Sequence, residues 1–337
     1  MSANPTGPLH FGHGRGGIIG DVLARILRFL EYQATTEFYI NDAGNQITKL
    51  GESLKARCQQ IVGMDIPMPE DGYQGEYLKE IAQNCVQECG ANVINQPTQF
   101  FSEFGKTRLL NTITKTLSDY QISFDVWFSE KTLHDQGDVV TAMELLTQKG
   151  FAYWSENALW FKATQFGDDK DRVLKKSTGE YTYLAADVAY LNNKISRGFD
   201  TIIMVLGQDH HSYAVRMKAL ITALHQRPDD LQVILYQLVT LKEDEEVVRM
   251  SKRTGKIVSL QDIIDTVGVD VARFFYLNRK SDAHLEFDIA KALKRTDENP
   301  VYYIQYAYVR AKSLLEKSSL HPDFQNITQV DYRSEEH

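Results

Sequence analysis

Residues 2–17, SANPTGPLHFGHGRGG, decide the fold of this 337-residue chain, because they join a polar, proline-containing stretch to the start of a long helix. Pro5 and Pro8 lack a backbone N–H, so we expect residues 2–9 to form a loop and not a central strand. Apolar residues then recur at helical spacing through residues 18–30, which predicts a helix entered through a glycine-rich turn. The free N–H groups and positive dipole of such a helix start favour a bound anion.

Two histidines, His10 and His13, bracket Gly12 at the mouth of this helix. Imidazoles placed there could donate hydrogen bonds to a phosphate whose charge grows during a reaction, and Gly12 permits close approach of a ligand. Gly12, Gly14 and Gly17 also fit the G-x-G-x-x-G pattern of dinucleotide sites, but that pattern requires a strand directly before it. The alternative is a glycine-rich turn with incidental histidines. H-x-G-H arises by chance in about 0.015 of chains of this composition, which argues against that alternative but leaves it open.

The rest of the chain alternates strand and helix patterns. Strand patterns cover residues 34–42, 199–206 and 230–241, with short candidates among residues 121–183. Helical patterns cover much of residues 45–120, and then residues 211–225, 261–278 and 289–317. Strands joined by crossover helices imply a parallel sheet. We therefore expect an α/β protein with a Rossmann-like, parallel-sheet nucleotide-binding core. A mixed α/β insertion at roughly residues 45–180 splits this core, and the start of an all-helical domain follows it.

The composition excludes several classes of protein. The chain has 37 Lys and Arg against 45 Asp and Glu, and 43% hydrophobic residues, which is ordinary for a globular protein. Its 16 Phe and 17 Tyr exclude a long disordered chain, and no apolar run approaches the roughly 20 residues that a bilayer requires. The acidic balance argues against a sequence-independent nucleic-acid coat but leaves a specific nucleic-acid partner open. Without a signal peptide, Cys58, Cys85 and Cys89 indicate structural thiols in a reducing compartment, so we expect a cytoplasmic protein.

A second motif, Arg249-Met250-Ser251-Lys252-Arg253-Thr254-Gly255, follows the last strand pattern. Taken alone it is a solvated basic turn. In an open α/β sheet, however, ligands bind where the carboxyl ends of the strands face one crevice, and two phosphate-seeking loops there would hold a nucleoside triphosphate from both sides. Together with residues 2–13, the motif resembles the paired signatures of class I aminoacyl-tRNA synthetases, in the form of the arginyl-tRNA synthetase family. Further stretches similar to that family are residues 39–47, 207–211 and 298–307, and the resemblance runs from residue 2 to about residue 317.

The resemblance implies an arginine–tRNA ligase that works in two steps. The carboxylate of L-arginine attacks the α-phosphate of ATP, and the arginyl group then passes from the adenylate to the 3′ end of tRNA(Arg). Mg²⁺ would arrive with ATP, held largely by its phosphates. We expect no protein-bound zinc or other resident metal, no membrane partner, and a monomer.

The resemblance also assigns roles to individual residues. The catalytic residues would be His10, His13 and Lys252. The ATP-binding residues would be His10, Gly12, His13, Gly207, Asp209, Met250 and Lys252. The arginine-binding residues would be Ser2, Asn4, His13, Tyr183, Asp187 and His211. Tyr183 and Asp187 lie four residues apart, as on one helix face, where Asp187 would pair with the guanidinium and Tyr183 would close over it. Without the resemblance, these two residues are interpreted as a surface pair on a helix.

The domain organisation implied by the resemblance is a catalytic domain over residues 1–285 and the beginning of a helical anticodon-binding domain over residues 286–337. Relatives carry a strand and a further domain before the first signature, whereas this chain begins inside it. Arginyl-tRNA synthetases generally need bound tRNA even to form the adenylate, so we expect an incomplete core that is weakly active or inactive. Arg249 stands where the family often has lysine, and because the charge is kept we expect a mild effect.

Two other function classes compete with this interpretation. A small-molecule nucleotidyl-transferring enzyme could share the H-x-G-H fold but would lack both the Tyr183 and Asp187 pair and the family-like stretch at residues 298–307. A non-catalytic, synthetase-like binding module is the third class. The presence of His10, His13 and Lys252 argues against it.

Overall fold

The computed structural model describes residues 1–225, 227–243, 246–247, 258–294, 296 and 299–318. The strands within these residues are β1 (Ser2–Ala3), β2 (Glu37–Ile40), β3 (Val126–Ser129), β4 (Ala152–Ser155), β5 (Ala158–Phe161), β6 (Arg172–Lys175), β7 (Ile202–Gly207), β8 (Leu231–Tyr236), β9 (Val239–Glu243), β10 (Glu246–Val247) and β11 (Leu285–Asp288). The α-helices are α1 (Gly12–Phe29), α2 (Asn45–Ile61), α3 (Glu76–Cys89), α4 (Thr98–Asp119), α5 (Glu130–Asp135), α6 (Asp138–Gln148), α7 (Tyr183–Ser196), α8 (His211–His225), α9 (Leu260–Val267), α10 (Val269–Leu277), α11 (Ile289–Leu293) and α12 (Pro300–Ser318).

The core of the fold is built from parallel strand pairs. The order of the first sheet is β1-β2-β3, with every pairing parallel, and β7 and β8 pair in parallel along their whole length. Parallel neighbours require crossover connections, which α1 provides between β1 and β2 and α8 provides between β7 and β8. This arrangement confirms the expected parallel α/β core and places the carboxyl ends of these strands next to helix starts.

The N-terminal residues of the chain differ from the prediction in two ways. Residues 2–9 do not all form a loop, because Ser2 and Ala3 precede the first proline and pair with Tyr39 and Ile40 of β2. The glycine-rich stretch is not a turn but the first part of α1, which begins at Gly12. The predicted loop over residues 2–3 and the predicted entry turn are therefore wrong.

The reason for the glycines is close packing against α1. A Cβ added at Gly14 would lie 2.7 Å from Leu260 and Tyr276, and one added at Gly16 would lie 2.6 Å from the ring of Tyr236. Neighbouring elements approach the bare backbone of the helix so closely that larger residues would displace them. Tertiary contact thus outweighs the low intrinsic helix propensity of glycine.

Other boundaries were also placed imprecisely by the patterns. The strand predicted over residues 230–241 is two strands, β8 and β9, which belong to different sheets. The helix predicted over residues 261–278 is interrupted at Gly268, whose φ of +81° suits glycine and ends α9. The helical pattern over residues 289–317 contains two separate helices, α11 and α12. Strands β6 and β11 were not predicted.

The insertion between the two halves contains a helical and an antiparallel part. Helices α2, α3 and α4 surround a hydrophobic cluster of their own, which includes Leu50, Leu54, Leu78 and Phe101. Strands β4, β5 and β6 then form an antiparallel sheet. Two larger clusters form the rest of the core, one around α1, α10 and β11 and one around α6, α7 and α8. The described helices include none with an apolar stretch that would span a bilayer.

Candidate active site

His10 and His13 stack on each other at the start of α1. Their ring centroids are 3.7 Å apart, and the backbone N–H of His10 donates to Nδ1 of His13 at 3.1 Å. The backbone N–H of Gly12 likewise donates to Nδ1 of His10, at 3.1 Å. Because each Nδ1 accepts a hydrogen bond, each neutral ring carries its proton on Nε2 and can donate it to a ligand. A Cβ added at Gly12 would lie 3.0 Å from the His10 ring, so this glycine lets the ring fold over the helix start.

His13 is held in its neutral form. Burial and the neighbouring His10 lower the pKa of His13 to about 3. A histidine that donates from Nε2 without carrying charge stabilises a growing negative charge through hydrogen bonding alone. The neutral His13 ring can therefore donate a hydrogen bond to a phosphate group without carrying a positive charge.

We expect His13 to show no protonation between pH 8 and pH 5 in the folded chain. In the unfolded chain it titrates near 6.5. The unfolded state therefore takes up a proton that the folded state does not, and this group's contribution to stability is lost as pH falls below about 6.5. Titration of histidine ring signals by NMR, with the urea-unfolded chain as the reference, measures both states. A folded-state midpoint for His13 above pH 5 would contradict the neutral-ring arrangement.

The segment that follows the second motif lies against the first. The Phe11 N–H donates to the Val258 carbonyl at 3.2 Å, and the Leu260 N–H donates to the Leu9 carbonyl at 2.7 Å. His10 and Ser259 form an isolated antiparallel bridge between the two segments. The predicted site residues Met250 and Lys252, together with Arg249, lie outside the described residues, so their roles stay predictions.

The end of β7 faces the start of α1. Gly207 ends β7, and a Cβ added there would lie 2.5 Å from Oδ1 of Asp209. Asp209 lies near Tyr236, where its charge helps to raise the pKa of the phenol, and the Tyr236 ring covers Gly16 of α1. The structure therefore places Gly207 and Asp209 beside α1, whose first turn contains His13. Their contact with ATP stays a prediction.

Two carboxylates lie near each other, one on α7 and one at the start of α5. Asp187 of α7 is partly buried, and its Oδ1 accepts a hydrogen bond from the Tyr213 hydroxyl at 2.8 Å. Glu130, the first residue of α5, is buried, and the nearby Tyr39 hydroxyl favours its ionised form. The structure gives neither carboxylate an ion pair with a described basic side chain within 4.0 Å. Two acids so placed favour a bound cation.

Burial raises the pKa of both acids. The pKa of Glu130 rises to about 7, with the charges of Asp187 and Asp42 adding to the effect of burial. The pKa of Asp187 rises to about 6, again through burial, although the Tyr213 hydrogen bond and the charge of Arg216 act in the opposite direction. Such perturbed groups in a crevice are typical of functional sites.

The other predicted arginine-binding residues lie on several different elements. Ser2 of β1 pairs with Tyr39, and Asn4 donates a hydrogen bond from its side chain to Gln46 in the first turn of α2. Tyr183 lies one helical turn before Asp187 and is 76% exposed. The tyrosine that donates a hydrogen bond to the Asp187 carboxylate is Tyr213. His211 is exposed at the start of α8. Among the described residues, no three His, Cys, Asp or Glu side chains are arranged to hold a metal ion.

Glu130 is the residue that sequence reasoning missed. It occurs in Phe-Ser-Glu-Lys, where nothing in the local pattern distinguishes it from a surface acid. The available signal was topological, because Glu130 directly follows β3 and Asp42 follows the end of β2. Polar residues at the carboxyl ends of parallel strands converge on one edge of a sheet.

A family model described as tRNA synthetases class I (R), catalytic domain, matches residues 1–295. The chain belongs to this family. The resemblance to arginyl-tRNA synthetases is thereby confirmed. The chain is 48% identical over 319 residues to the arginine–tRNA ligase of Anoxybacillus flavithermus, a match that covers 94% of this chain and 57% of that protein. It is 45% identical over 338 residues to the arginine–tRNA ligase of Bacillus subtilis, covering 97% of this chain and 61% of that protein.

Solved structures of the synthetase family have the same fold. A putative arginyl-tRNA synthetase from Campylobacter jejuni superposes with a TM-score of 0.86 at 36% identity, covering 99% of this chain and 73% of that one. The arginyl-tRNA synthetase of Thermus thermophilus superposes with a TM-score of 0.74 at 19% identity, covering 98% of this chain and 66% of that one, and supports the fold alone. The chain spans 57% to 61% of the length of the two curated relatives.

Proposed function

We propose that the chain is the catalytic core of an arginine–tRNA ligase, which activates L-arginine with ATP and transfers it to the 3′ end of tRNA(Arg). The observation that carries this proposal is the pair of neighbouring acids, Asp187 and Glu130, each with a raised pKa, in a chain that also stacks His10 on His13 at the start of α1. A guanidinium presents several N–H donors in one plane and is matched by carboxylates from two sides. The relatives named arginine–tRNA ligase support the same substrate.

In the activation step, the chain's residues would act through position and hydrogen bonding. Asp187 and Glu130 would hold the guanidinium, so that the arginine carboxylate points from the acids toward the start of α1. His10 and His13 would donate from Nε2 to the α-phosphate as negative charge develops during the attack. Lys252 would neutralise the departing pyrophosphate as a compact charge. Mg²⁺ bound to the phosphates would supply further neutralisation.

The remaining assignments belong to the same proposal. Ser2 and Asn4 would hold the amino and carboxylate end of arginine, with His211 and His13 beside them. Gly12, Gly207, Asp209 and Met250 would contact ATP. We further propose a cytoplasmic monomer with a catalytic domain over residues 1–285, an insertion at roughly residues 45–180, and the beginning of a helical anticodon-binding domain over residues 286–337.

Isothermal titration with L-arginine tests the proposal, with L-lysine and L-citrulline as controls. Citrulline has nearly the shape of arginine but no charge, and lysine has the charge without the planar array of donors. Saturable binding of arginine, with lysine and citrulline at least about tenfold weaker, is the expected result. Equal binding of all three, or of none, would contradict arginine recognition by these acids. Binding of ATP alone would then favour a nucleotidyl-transferring enzyme with another substrate.

Arginine affinity should fall as pH is lowered. The pKa values of Glu130 and Asp187, about 7 and about 6, mean that both acids carry a proton at pH 5 in the ligand-free chain. Binding of the guanidinium requires the ionised forms and must therefore release protons at low pH. We expect the dissociation constant to rise by about tenfold or more between pH 7.5 and pH 5.5. Titration in two buffers of different ionisation enthalpy measures the released protons. A constant affinity over this range would contradict the assignment.

A further inference from the structure

We infer that Tyr213 and Tyr39 are a matched pair of positioning residues, which orient the Asp187 and Glu130 carboxylates toward the guanidinium of the substrate. The inference rests on the proposed function and extends it to two residues that need not touch the substrate. Each tyrosine comes from a different element from the acid that it contacts. Tyr213 lies on α8 and contacts Asp187 of α7, whereas Tyr39 lies on β2 and contacts Glu130 at the start of α5.

The geometry of the Asp187 contact fixes one side of the carboxylate. The Tyr213 hydroxyl donates to Oδ1 at 2.8 Å, the usual distance of an O–H···O hydrogen bond. Tyr213 is only partly exposed, and its ring is packed against the hydrophobic cluster around α6, α7 and α8, so its hydroxyl has little freedom to move. With Oδ1 engaged in this way, Oδ2 is the atom best placed to accept from a guanidinium N–H.

The contact at Glu130 has a similar arrangement, with Tyr39 of β2 in the place of Tyr213. Tyr39 pairs with Phe128, two residues before Glu130, and its hydroxyl favours the ionised form of the Glu130 carboxylate. The Tyr39 ring packs against Tyr190 at a centroid distance of 4.5 Å and against Phe128 at 6.1 Å. A phenol is a suitable donor here because it engages a carboxylate without neutralising it. A lysine or arginine in the same place would satisfy the acid and remove its attraction for the substrate.

Among the described residues, a small set of charged and titratable groups faces the two acids. Tyr213 and Arg216 of α8 face Asp187. Glu130 at the start of α5 and Tyr39 of β2 also lie near it. Glu130 is also faced by Asp42, whose own carboxylate accepts from the Ser129 hydroxyl at 2.8 Å. The tyrosine hydroxyls favour the ionised form of each acid, as does the charge of Arg216 at Asp187, whereas the neighbouring acids oppose it.

The test replaces each hydroxyl and leaves each ring in place. Tyr213→Phe and Tyr39→Phe are compared with Tyr190→Phe, since Tyr190 packs between the same rings but donates to Glu37 and to neither substrate acid. Arginine binding by the full chain is measured by titration calorimetry from pH 5.5 to pH 8.5, and the thermal midpoint of each variant is recorded. We expect Tyr213→Phe and Tyr39→Phe to weaken arginine binding by about tenfold at pH 7, and to move the pH of half-maximal affinity upward by about one unit.

The shift of the pH profile separates positioning from structural support. Tyr190→Phe should leave that profile in place even if it lowers the thermal midpoint. An unshifted profile in both Tyr213→Phe and Tyr39→Phe, with the unsubstituted chain binding arginine, would overturn this inference alone. An unsubstituted chain that binds no arginine would overturn the proposed function and this inference with it.

Discussion

Asp187→Asn should weaken the binding of L-arginine by about 100-fold or more while the chain keeps its fold. The substitution preserves the size of the side chain and an oxygen that can accept from Tyr213. It removes the charge that we propose to pair with the guanidinium. Loss of one partner from a partly buried, hydrogen-bonded ion pair typically costs several kcal/mol, and about 1.4 kcal/mol corresponds to a factor of ten. Titration calorimetry with arginine at pH 7.5 measures the effect.

The stability of this variant should move in the opposite direction to its affinity. Burial raises the pKa of Asp187 to about 6 in the folded chain, above the usual value of 3.8. An acid with a raised pKa destabilises the folded state at pH values above that pKa, because the folded state holds the ionised form less well than the unfolded state does. The amide of the Asp187→Asn variant carries no such penalty at pH 7.5, so the thermal midpoint should stay equal or rise. This trade between stability and function is common at binding sites.

Asp200→Asn serves as the matched control. Asp200 is exposed and lies before the start of β7. The proposed site lies at the other end of that strand, near Gly207 and Asp209. The same chemical change should there leave arginine affinity unaltered. If both variants bound arginine as well as the unsubstituted chain does, Asp187 would have no part in recognising the guanidinium. A lower thermal midpoint for Asp187→Asn would instead assign the acid a structural role.

The residues that we propose to contact phosphate, which form a phosphate side, were easier to predict from the sequence than those that we propose to bind arginine, which form an arginine side. His10, Gly12 and His13 are close together in the chain, so a short motif contains their whole spatial relation. The acids and phenols of the arginine side come from β2, α5, α7 and α8, which are distant in sequence. Only the resemblance to a family placed Asp187 there, and Glu130, Tyr39 and Tyr213 entered with the three-dimensional structure.

The errors in the fold prediction have a similar origin. A run of glycines is a turn signal when only local propensity is considered, yet at Gly14 and Gly16 it permits other elements to approach the helix. Likewise, Ser2 and Ala3 have no strand pattern of their own and form β1 because β2 offers a partner. Strong periodicity predicted α8 with its observed bounds, residues 211–225, because both ends of that helix coincide with the ends of its apolar pattern.

The same substitution, glycine to alanine, should have opposite effects on stability at two positions. Gly51 in the interior of α2 and Gly20 in the interior of α1 are both helical glycines. A Cβ added at Gly51 would lie 2.7 Å from the Thr98 carbonyl oxygen and 2.9 Å from the Ser102 backbone nitrogen of α4, atoms that can move only with their helix. A Cβ added at Gly20 would meet only Val205 Cγ2 among the described residues, at 3.9 Å, which is ordinary van der Waals contact.

Gly51→Ala should therefore lower the free energy of unfolding by about 3 kcal/mol, the upper part of the usual range for overpacking. Gly20→Ala should raise it by about 0.5–1 kcal/mol, because alanine fits the space and favours the helix. Chemical denaturation followed by circular dichroism measures both. A stabilising or neutral Gly51→Ala would show that α2 and α4 can separate without loss.

The Gly51 substitution should also reach the site. Helix α2 begins at Asn45, and Gln46 in its first turn accepts the hydrogen bond from Asn4, which we propose to hold the α-amino and carboxylate end of arginine. If α2 moves to relieve the clash with α4, the Gln46 amide moves with it and Asn4 loses its orientation. Arginine affinity should then fall in Gly51→Ala and stay unchanged in Gly20→Ala. A destabilised Gly51→Ala variant with full arginine affinity would show instead that the strain is absorbed by α4, and that the insertion is mechanically separate from the arginine site.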